Sequence, residues 1–405
     1  MPATSEFHKL WAGQTVSLIG SALTAFALPS LAILTLHASA SQVGVLVALE
    51  TLPFPVLGML VGVLADRLSR RKIMIVADLV RFVALATIPI AAVFGALRMP
   101  QLYAVSLVTG CASAFFGITY QAYLPVVVSS DRLTDANTKL EFSNSGSEIA
   151  GKALAGVLIQ WLGAATAIAF DAVSYLVSVL SLAWIRISEP PHGGPSLSFR
   201  QGVRELREGL QVVFGSSDLR WILGATATVN LGGSMMQAVA LIYAYRTLHL
   251  QPGLLGIVLG CANLGFIGAL FATRVRDALG LRMTLIAALV LAGLANAGTL
   301  LAQFASPYPV LFVVFAIEAM MVPIYNINQI SYRQALVDVR LQGRMNATMR
   351  TFVWGTLPLG ALLGGYAGTA IGVVPTIAIG AIVATLSALW LLPLRERTVA
   401  ECPAS

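Results

Sequence analysis

The sequence predicts an all-α polytopic membrane protein with twelve transmembrane helices, arranged as two pseudo-symmetric six-helix bundles. Hydrophobic residues make up 57% of the 405 residues and charged residues only 11%, whereas an average globular protein has about 25% charged residues. The apolar residues are gathered in runs long enough to cross a bilayer. One long polar segment divides these runs into two groups of six.

A spanning helix requires about 20 mainly apolar residues. Twelve runs of this kind are predicted as spans 1 to 12, at 10–36, 42–65, 73–97, 101–126, 138–162, 164–186, 218–247, 253–274, 282–304, 308–332, 343–370 and 373–394. The dividing segment begins with a cluster of Pro and Gly residues that no helix crosses. We therefore expect an N-terminal bundle over 1–187, a cytoplasmic linker over 188–217, a C-terminal bundle over 218–397 and a cytoplasmic tail over 398–405.

The linker contains a second pattern, in which apolar residues recur at helical spacing and charged residues lie between them. The apolar positions are Phe199, Val203, Leu206, Leu210 and Val213, and the charged positions are Arg200, Arg204, Glu205, Arg207 and Glu208. This pattern is typical of an amphipathic helix lying on a membrane surface. A solvated linker helix is the alternative.

The basic residues predict the orientation of the chain. Almost all of them fall in loops on one side of the predicted spans, which places both termini in the cytoplasm. The formal net charge of +7 is explained by these scattered loop residues, so nucleic-acid binding is not expected. Cys111, Cys261 and Cys402 support neither a disulfide framework nor a metal site. The first apolar run is too long for a cleavable signal peptide and is expected to remain as span 1.

The loop between spans 2 and 3 carries the most specific motif, Gly62-Val-Leu-Ala-Asp66-Arg67-Leu-Ser69-Arg70-Arg71-Lys72. It resembles the loop signature of the major facilitator superfamily, Gly-x-Leu-Ala-Asp-Arg-x-Gly-Arg-Arg, with Ser69 where the family usually has glycine. A narrower resemblance is to the twelve-helix drug:proton antiporter branch that includes the enterobactin exporter and macrolide-efflux proteins. Its residues are Phe7-x-Lys-Leu-Trp-x-Gly-Gln14-x-x-Ser17-x-Ile-Gly20, Pro125, Leu133, Ala136-Asn137 and Phe170-Asp171-Ala172.

The resemblance implies transport by alternating access, driven by the proton motive force without any cofactor. It also implies that the loop acts as a gating latch formed by Gly62, Asp66, Arg67, Arg70 and Arg71. In the latch, Asp66 would engage the start of span 11 near Arg344, because an acid is stabilised at a helix N-terminus. A weak repeat between the two halves further implies a substrate site near the midplane between them.

One position departs from the antiporter pattern. Antiporters of this superfamily usually carry a Gly-Pro pair in the fifth span, but here Gly151 is followed by Lys152. This departure weakens the antiport interpretation. Lys152 is alternatively expected to bind an anionic substrate, such as a carboxylate or a catecholate.

Charged residues inside predicted spans are the main functional candidates, since each costs about 2.5–3.5 kcal/mol to insert. Five were identified for proton coupling or substrate charge: Glu50, Glu148, Lys152, Asp171 and Glu318. Glu148 and Lys152 have the spacing of a helical ion pair, and Asp171 is a competing partner for Lys152. A static buried pair is the alternative to a proton-exchanging one. Glu318 has no base close in sequence and is expected to be protonated at rest.

Uncharged polar residues and methionines give weaker signals. The candidate cavity-lining residues are Gln14, Ser21, Asn230, Gln237, Asn263, Met321 and Asn326. Hydrogen bonding between helices, or plain packing, is the alternative for each of them. The segment from Gly146 to Lys152 matches part of a phosphate-binding loop, but it lacks the Ser or Thr after the lysine and lies within a predicted span. ATP hydrolysis is therefore not expected.

Taken together, these patterns predict a transporter and not an enzyme. We expect a monomer in the cytoplasmic (inner) membrane that exports drug-like or siderophore-like small molecules in exchange for protons and contacts membrane lipids. A proton-linked importer of an organic anion is one alternative, and a non-transporting sensor built on the same fold is another.

Overall fold

The computed structural model describes residues 2–129, 132–187, 189 and 199–394. Regular structure in this part of the chain is helical throughout. The α-helices are α1 (Pro2–Leu34), α2 (Ala40–Thr51), α3 (Pro53–Arg67), α4 (Arg70–Val93), α5 (Met99–Val127), α6 (Leu133–Leu162), α7 (Ala164–Ala183), α8 (Phe199–Gly215), α9 (Ser217–Ile242), α10 (Pro252–Ala262), α11 (Ala272–Leu279), α12 (Leu281–Gly298), α13 (Pro307–Leu336), α14 (Val339–Ala370) and α15 (Val373–Leu386). The predicted all-α class is confirmed for these residues.

The predicted spans correspond to these helices, with two interruptions. Span 2 is divided into α2 and α3 at Pro53, which has no N–H group to continue the hydrogen-bond ladder. Span 8 is divided into α10 and α11 by the 3₁₀ segment Asn263–Phe271. A π-helical turn, Tyr243–Thr247, extends α9, and the 3₁₀ turns Thr299–Gln303 and Ser387–Leu391 extend α12 and α15.

Within the described residues, nine helical segments are long and apolar enough to cross a membrane. The helices of spans 5, 7 and 11, which are α6, α9 and α14, are not among them. They have 30, 26 and 32 residues, so length does not exclude them. At about 1.5 Å per residue each exceeds the roughly 30 Å of a bilayer core. α6 carries Asn144, Glu148 and Lys152 within its length.

The described residues form two compact units. The first lies within Met1–Leu197 and His249–Gly260, and the second within Ser198–Leu248 and Cys261–Ser405. In the first unit, α7 packs against both α1 and α4, and α4 packs against α5. Their buried side chains form one hydrophobic cluster that includes Phe7, Met74, Tyr123 and Leu182. α7 therefore contacts both α1 and α4.

In the second unit, α9 packs against α14 and α15, and α12 packs against α13 and α15. The linker helix α8 belongs to this unit and packs on α14. Its Val213 is fully buried, and Gly209 lies against Arg344 and Thr348. The side chains of Phe199, Val203 and Leu206 and the tail 398–405 lie outside the described residues. The membrane-surface position of α8 and the proposed domain boundaries stay predictions.

Candidate functional site

The carboxylate of Asp171 is enclosed where α7 packs against α1. The residue has 0% exposure, and its Oδ1 accepts a hydrogen bond of 3.0 Å from the Ser174 hydroxyl. Gly20 on α1 permits this approach, because a β-carbon at Gly20 would overlap both Oδ1 and that hydroxyl. Gly20 and Asp171 belong to two of the segments that carry the narrower family resemblance. In the structure these two segments meet at one carboxylate.

A second buried acid lies on α4, next to a buried base. Asp78 has 0% exposure and Arg81 has 5%. An Nη atom of Arg81 donates a hydrogen bond to Oδ1 of Asp78, which forms a buried ion pair between residues three apart on one helix. The Arg81 guanidinium also lies over two aromatic rings, at 4.5 Å from the centroid of Phe116 and 4.3 Å from that of Tyr175. Stacking on both rings stabilises a cation that water does not reach.

Sequence reasoning missed both members of this pair. The five charged candidates did not include Asp78 and Arg81, which lie inside span 3 at 73–97, or Arg350, which lies inside span 11. Arg350 stacks on Trp354, with 4.1 Å from its guanidinium carbon to the ring centroid. The signal was available, since an acid and a base three residues apart in an apolar run are neighbours on one helix face.

Lys152 and Glu148 form an ion pair on α6. The Lys152 Nζ lies 2.8 Å from Glu148 Oε2, and the two side chains are 28% and 43% exposed. Asp171, the alternative partner for Lys152, has Asp78 and Arg81 as its charged neighbours. In the structure, Asp171 belongs to a buried charged group on α4 and α7, whereas Glu148 and Lys152 form an accessible pair on α6.

The glycines around Lys152 allow α6 to approach its neighbours closely. A β-carbon at Gly151 would contact Ala22 of α1, and one at Gly156 would contact the backbone of Pro252 and Gly256. Small residues are the usual means of close helix packing in membranes. The helix runs without interruption from Leu133 to Leu162, with Lys152 at the position where the antiporter pattern has proline.

The remaining charged candidates are Glu50 and Glu318. Glu50 is half-buried in the last turn of α2, and its backbone contacts Gly110 of α5. Glu318 is half-buried on α13, in the second unit. Their assignment to proton coupling stays a prediction.

The latch loop is held by an acid that sequence reasoning did not single out. Glu189 accepts hydrogen bonds from the backbone N–H groups of Arg70 and Arg71, at 2.8 and 3.0 Å, and from the Ser69 hydroxyl at 2.7 Å. Its carboxylate therefore occupies the positive N-terminus of α4. The signal was weak, because Glu189 is 120 residues from Ser69 in the sequence.

The side chains of Arg70 and Arg71 bind the C-terminal ends of three other helices. Arg70 donates to the carbonyl oxygens of Ala65 on α3 and Ala122 on α5, at 3.3 and 3.2 Å. Arg71 donates to the carbonyls of Leu182, at 2.7 Å, and Ala183, both on α7. Ala65, Leu182 and Ala183 lie in the last turns of their helices, where cations are favourable near the backbone carbonyls. Both arginines thus join α4 to the C-terminal parts of α3, α5 and α7.

The other latch residues have different surroundings. Gly62 has open space where a β-carbon would stand, and Arg67 is exposed. The side chain of Asp66 lies outside the described residues. Arg344, its predicted partner region, forms an ion pair with Glu208 of α8. Engagement of Arg344 by Asp66 stays a prediction, and it would require Arg344 to leave Glu208.

Several of the candidate cavity-lining residues form hydrogen bonds or packing contacts with neighbouring helices. The Ser21 hydroxyl lies 2.9 Å from that of Tyr175, and Asn230 donates to the Val353 carbonyl at 3.4 Å. Met321 lies in the hydrophobic core of the second unit. Gln237 is exposed, whereas Gln14, Asn263 and Asn326 are half-buried on α1, after α10 and on α13. Hydrogen bonding and packing account for Ser21, Asn230 and Met321 in this structure.

Comparison with known proteins identifies the family of the chain. Residues 3–403 match the family described as transmembrane secretion effector. The multidrug efflux pump Tap of Mycolicibacterium fortuitum is 26% identical over 398 residues, which cover 95% of each chain. Macrolide efflux protein A of Streptococcus pyogenes is 30% identical over 208 residues, which cover 51% of each chain.

Solved structures share the fold. A bacterial homologue of the iron transporter ferroportin, in an inward-facing state, has a TM-score of 0.77 at 15% identity, with 96% of this chain and 99% of that chain covered. The nucleoside transporter NupG has a TM-score of 0.74 at 13% identity, with 97% and 100% covered. At these identities the likeness extends to the fold alone.

Proposed function

The chain belongs to the transmembrane secretion effector family of the major facilitator superfamily, and from this membership we propose that it is a proton-coupled exporter of drug-like small molecules. It is a membrane transporter and not an enzyme. The observation that carries the proton coupling is the enclosed carboxylate of Asp171, which has no exposed surface. An ionisable residue at such depth in a spanning helix is costly to retain and marks an ion pathway or a proton relay.

The relatives support the proposed substrate class. One is described as a multidrug pump and another as a macrolide efflux protein. We extend to this chain the export of large, mainly apolar compounds such as macrolides and lipophilic cations. Siderophore-like compounds form a second class. They are supported by Lys152, whose partly exposed ammonium suits a carboxylate or catecholate.

The proposed cycle follows alternating access in the cytoplasmic membrane, with a monomeric protein and both termini in the cytoplasm. The loop at Gly62–Lys72 serves as the latch, and Asp66 engages the region of Arg344 in one state. The contacts of Arg70, Arg71 and Glu189 support this role, since they fix the loop to the helices that must move with it. Glu148 and Lys152 are partly exposed. Charged residues of spanning helices face a water-filled cavity rather than lipid, so this pair is proposed to line the water-filled path of the substrate.

Transport by purified protein in proteoliposomes tests the proposal. Vesicles with an acidic interior are challenged with erythromycin as the macrolide, tetraphenylphosphonium as the lipophilic cation, and a catecholate siderophore. Compound-dependent loss of the pH gradient is expected for at least one compound. The same flux should disappear in Asp66→Asn, a change that leaves membrane insertion intact, and should persist in Glu141→Gln, an exposed acid on α6.

A second candidate function is the proton-linked import of an organic anion, which the ammonium of Lys152 favours. It predicts that a carboxylate compound enters vesicles together with protons when the outside is acidic. If none of the three export compounds dissipates the pH gradient and such uptake is observed, the import proposal would replace the export proposal.

A further inference from the structure

The three buried charged residues of the first unit form one electrostatic group. Asp78 and Arg81 are paired on α4, and both are within electrostatic reach of Asp171 on α7. Arg81 stacks on the ring of Tyr175, which follows Asp171 by one helical turn on α7. The guanidinium therefore lies on the face of α7 from which Asp171 projects.

The charges of this group do not cancel when both acids are ionised. Two carboxylates and one guanidinium then leave one negative charge at a place without water. The other groups that face Asp171 do not supply a cation: α1 contributes Gly20 and Thr24, and α7 contributes Ser174 and the neutral phenol of Tyr175. On α6, Lys152 is paired with Glu148. A buried charge without a partner is avoided by protonation, so one proton makes the group neutral.

Three polar atoms of the group have hydrogen-bonding capacity to spare. Oδ2 of Asp78, Nε of Arg81 and Oδ2 of Asp171 are buried and make no hydrogen bond of good geometry among the described residues, with the Thr24 hydroxyl near Asp171 and the Ser178 hydroxyl near Asp78. Unsatisfied buried polar atoms are rare in proteins and call for a specific reason. Here the free Nε and the two free carboxylate oxygens allow the guanidinium to bind a different acid without losing its aromatic neighbours.

We propose that Asp78, Arg81 and Asp171 form the proton-binding site of the transporter, in which Asp171 carries the exchanged proton and Arg81 moves toward Asp171 when that proton leaves. This inference rests on the proposed function and names the site of its proton. In the resting state of the proposed cycle, Arg81 neutralises Asp78 and Asp171 holds the proton. When the site opens to water, the O–H bond of Asp171 breaks and the proton passes to that water. Arg81 is then shared by two carboxylates. Uptake reverses the step.

Infrared difference spectroscopy of the full-length protein, titrated with pH in lipid, tests the site without any substrate. A protonated carboxylic acid has a carbonyl stretch that a carboxylate lacks. We expect one such band to titrate in the wild type and to be missing in Asp171→Asn. It should persist in Asp218→Asn, a matched buried acid of the second unit that accepts a hydrogen bond of 2.9 Å from Tyr332. A band that persists unchanged in Asp171→Asn would overturn the proposal.

Two further variants separate this role from a purely structural one. Arg81→Lys keeps the charge but loses the planar group, so the midpoint of the Asp171 band should move, whereas Arg98→Lys, at an exposed site, should leave it fixed. Gly20→Ala should also displace the band, because the new methyl group meets Oδ1 of Asp171. An unmoved midpoint in both Arg81→Lys and Gly20→Ala would contradict the grouping of these residues.

Proton flux in proteoliposomes links the site to transport. A band that is lost in Asp171→Asn while compound-driven proton flux stays normal would overturn the coupling role. The opposite result is also possible, in which the Asp171 band titrates in the wild type but no compound causes proton flux. That result would support the proton-binding site and reject the proposed export function. The two proposals therefore fail by different results.

Discussion

Gly20 of α1 lies directly against the carboxylate of Asp171 on α7, so that the smallest residue of one helix abuts the buried acid of another. A side chain at position 20 would overlap the Asp171 carboxylate, so this contact requires glycine. The contact places an ionisable group at the centre of a helix pair that otherwise packs through serines and small residues, such as Gly13 against Ser178 and Ser181.

Substitution of Gly20 by alanine should impair transport while the protein still inserts in the membrane. The added methyl group must displace the Asp171 carboxylate or separate α1 from α7, and overpacking of this kind costs about 1–3 kcal/mol. Efflux measured in cells should fall at least about tenfold, which corresponds to about 1.4 kcal/mol. Gly117→Ala on α5 is the control, because a β-carbon there meets nothing within 4 Å. Equal efflux by the two variants would refute this role of Gly20.

Removal of Arg81 should destabilise the protein more than removal of the whole ion pair. Arg81→Gln leaves Asp78 buried without its cation, and such a loss costs about 3–5 kcal/mol. The double variant Asp78→Asn/Arg81→Gln leaves no buried charge on α4, so it should recover much of that stability. The stabilities of the wild type, both single variants and the double variant are measured by thermal unfolding in detergent. These four values form a double-mutant cycle. Additive effects in this cycle would show that the two residues are not coupled.

Glu189 should stabilise the loop between α3 and α4. Its carboxylate accepts two backbone N–H groups and one hydroxyl at the N-terminus of α4, an arrangement worth about 1 kcal/mol. Glu189→Gln keeps the size but removes the charge, so proteolysis within the loop should become faster and transport should decline. Glu141→Gln removes a charge from an exposed site and should change neither. Unaltered proteolysis in Glu189→Gln would count against the loop being held by this acid.

Lys152 should influence which substrates are handled, because its ammonium is 28% exposed beside Glu148. Lys152→Ala is expected to change the pH dependence of transport or the preference for substrate charge. Lys139→Ala is a matched control, since Lys139 pairs with Asp135 at 3.1 Å with the same spacing on the same helix. An identical pH profile across about pH 5–8 and an identical substrate range for both variants would reject the role of Lys152.

The sequence was sufficient for the helices because long apolar runs leave few other structures possible in a bilayer. The ion pair of Glu148 and Lys152 could also be foreseen, since four residues separate its members along one helix. Contacts between distant segments could not. Glu189 reaches the loop at Ser69 only because α7 ends beside α4, and Gly20 meets Asp171 only because α1 and α7 pack together. The residues next to Glu189 and Gly20 in the sequence do not indicate that Ser69 and Asp171 are their partners.

Asp78 and Arg81 are a different case. Their spacing was visible, but in the sequence they follow a loop rich in bases, and their burial depends on α5 and α7. The same dependence applies to Arg344. The family resemblance implied a partner for Arg344 in the latch, whereas the linker helix α8 supplies Glu208 in the structure. A basic residue at a helix end can have several acidic residues within reach once the chain is folded. The sequence does not show which of these acids it pairs with.

The central claim is that Asp171 carries the proton that drives export, and its most direct test is compound-dependent proton flux in matched proteoliposomes of the wild type and Asp171→Asn. The vesicles have an acidic interior and receive erythromycin or tetraphenylphosphonium. We expect the compound to dissipate the pH gradient with the wild type and Asp218→Asn, but not with Asp171→Asn at equal protein incorporation. Equal dissipation by the wild type and Asp171→Asn would contradict the account.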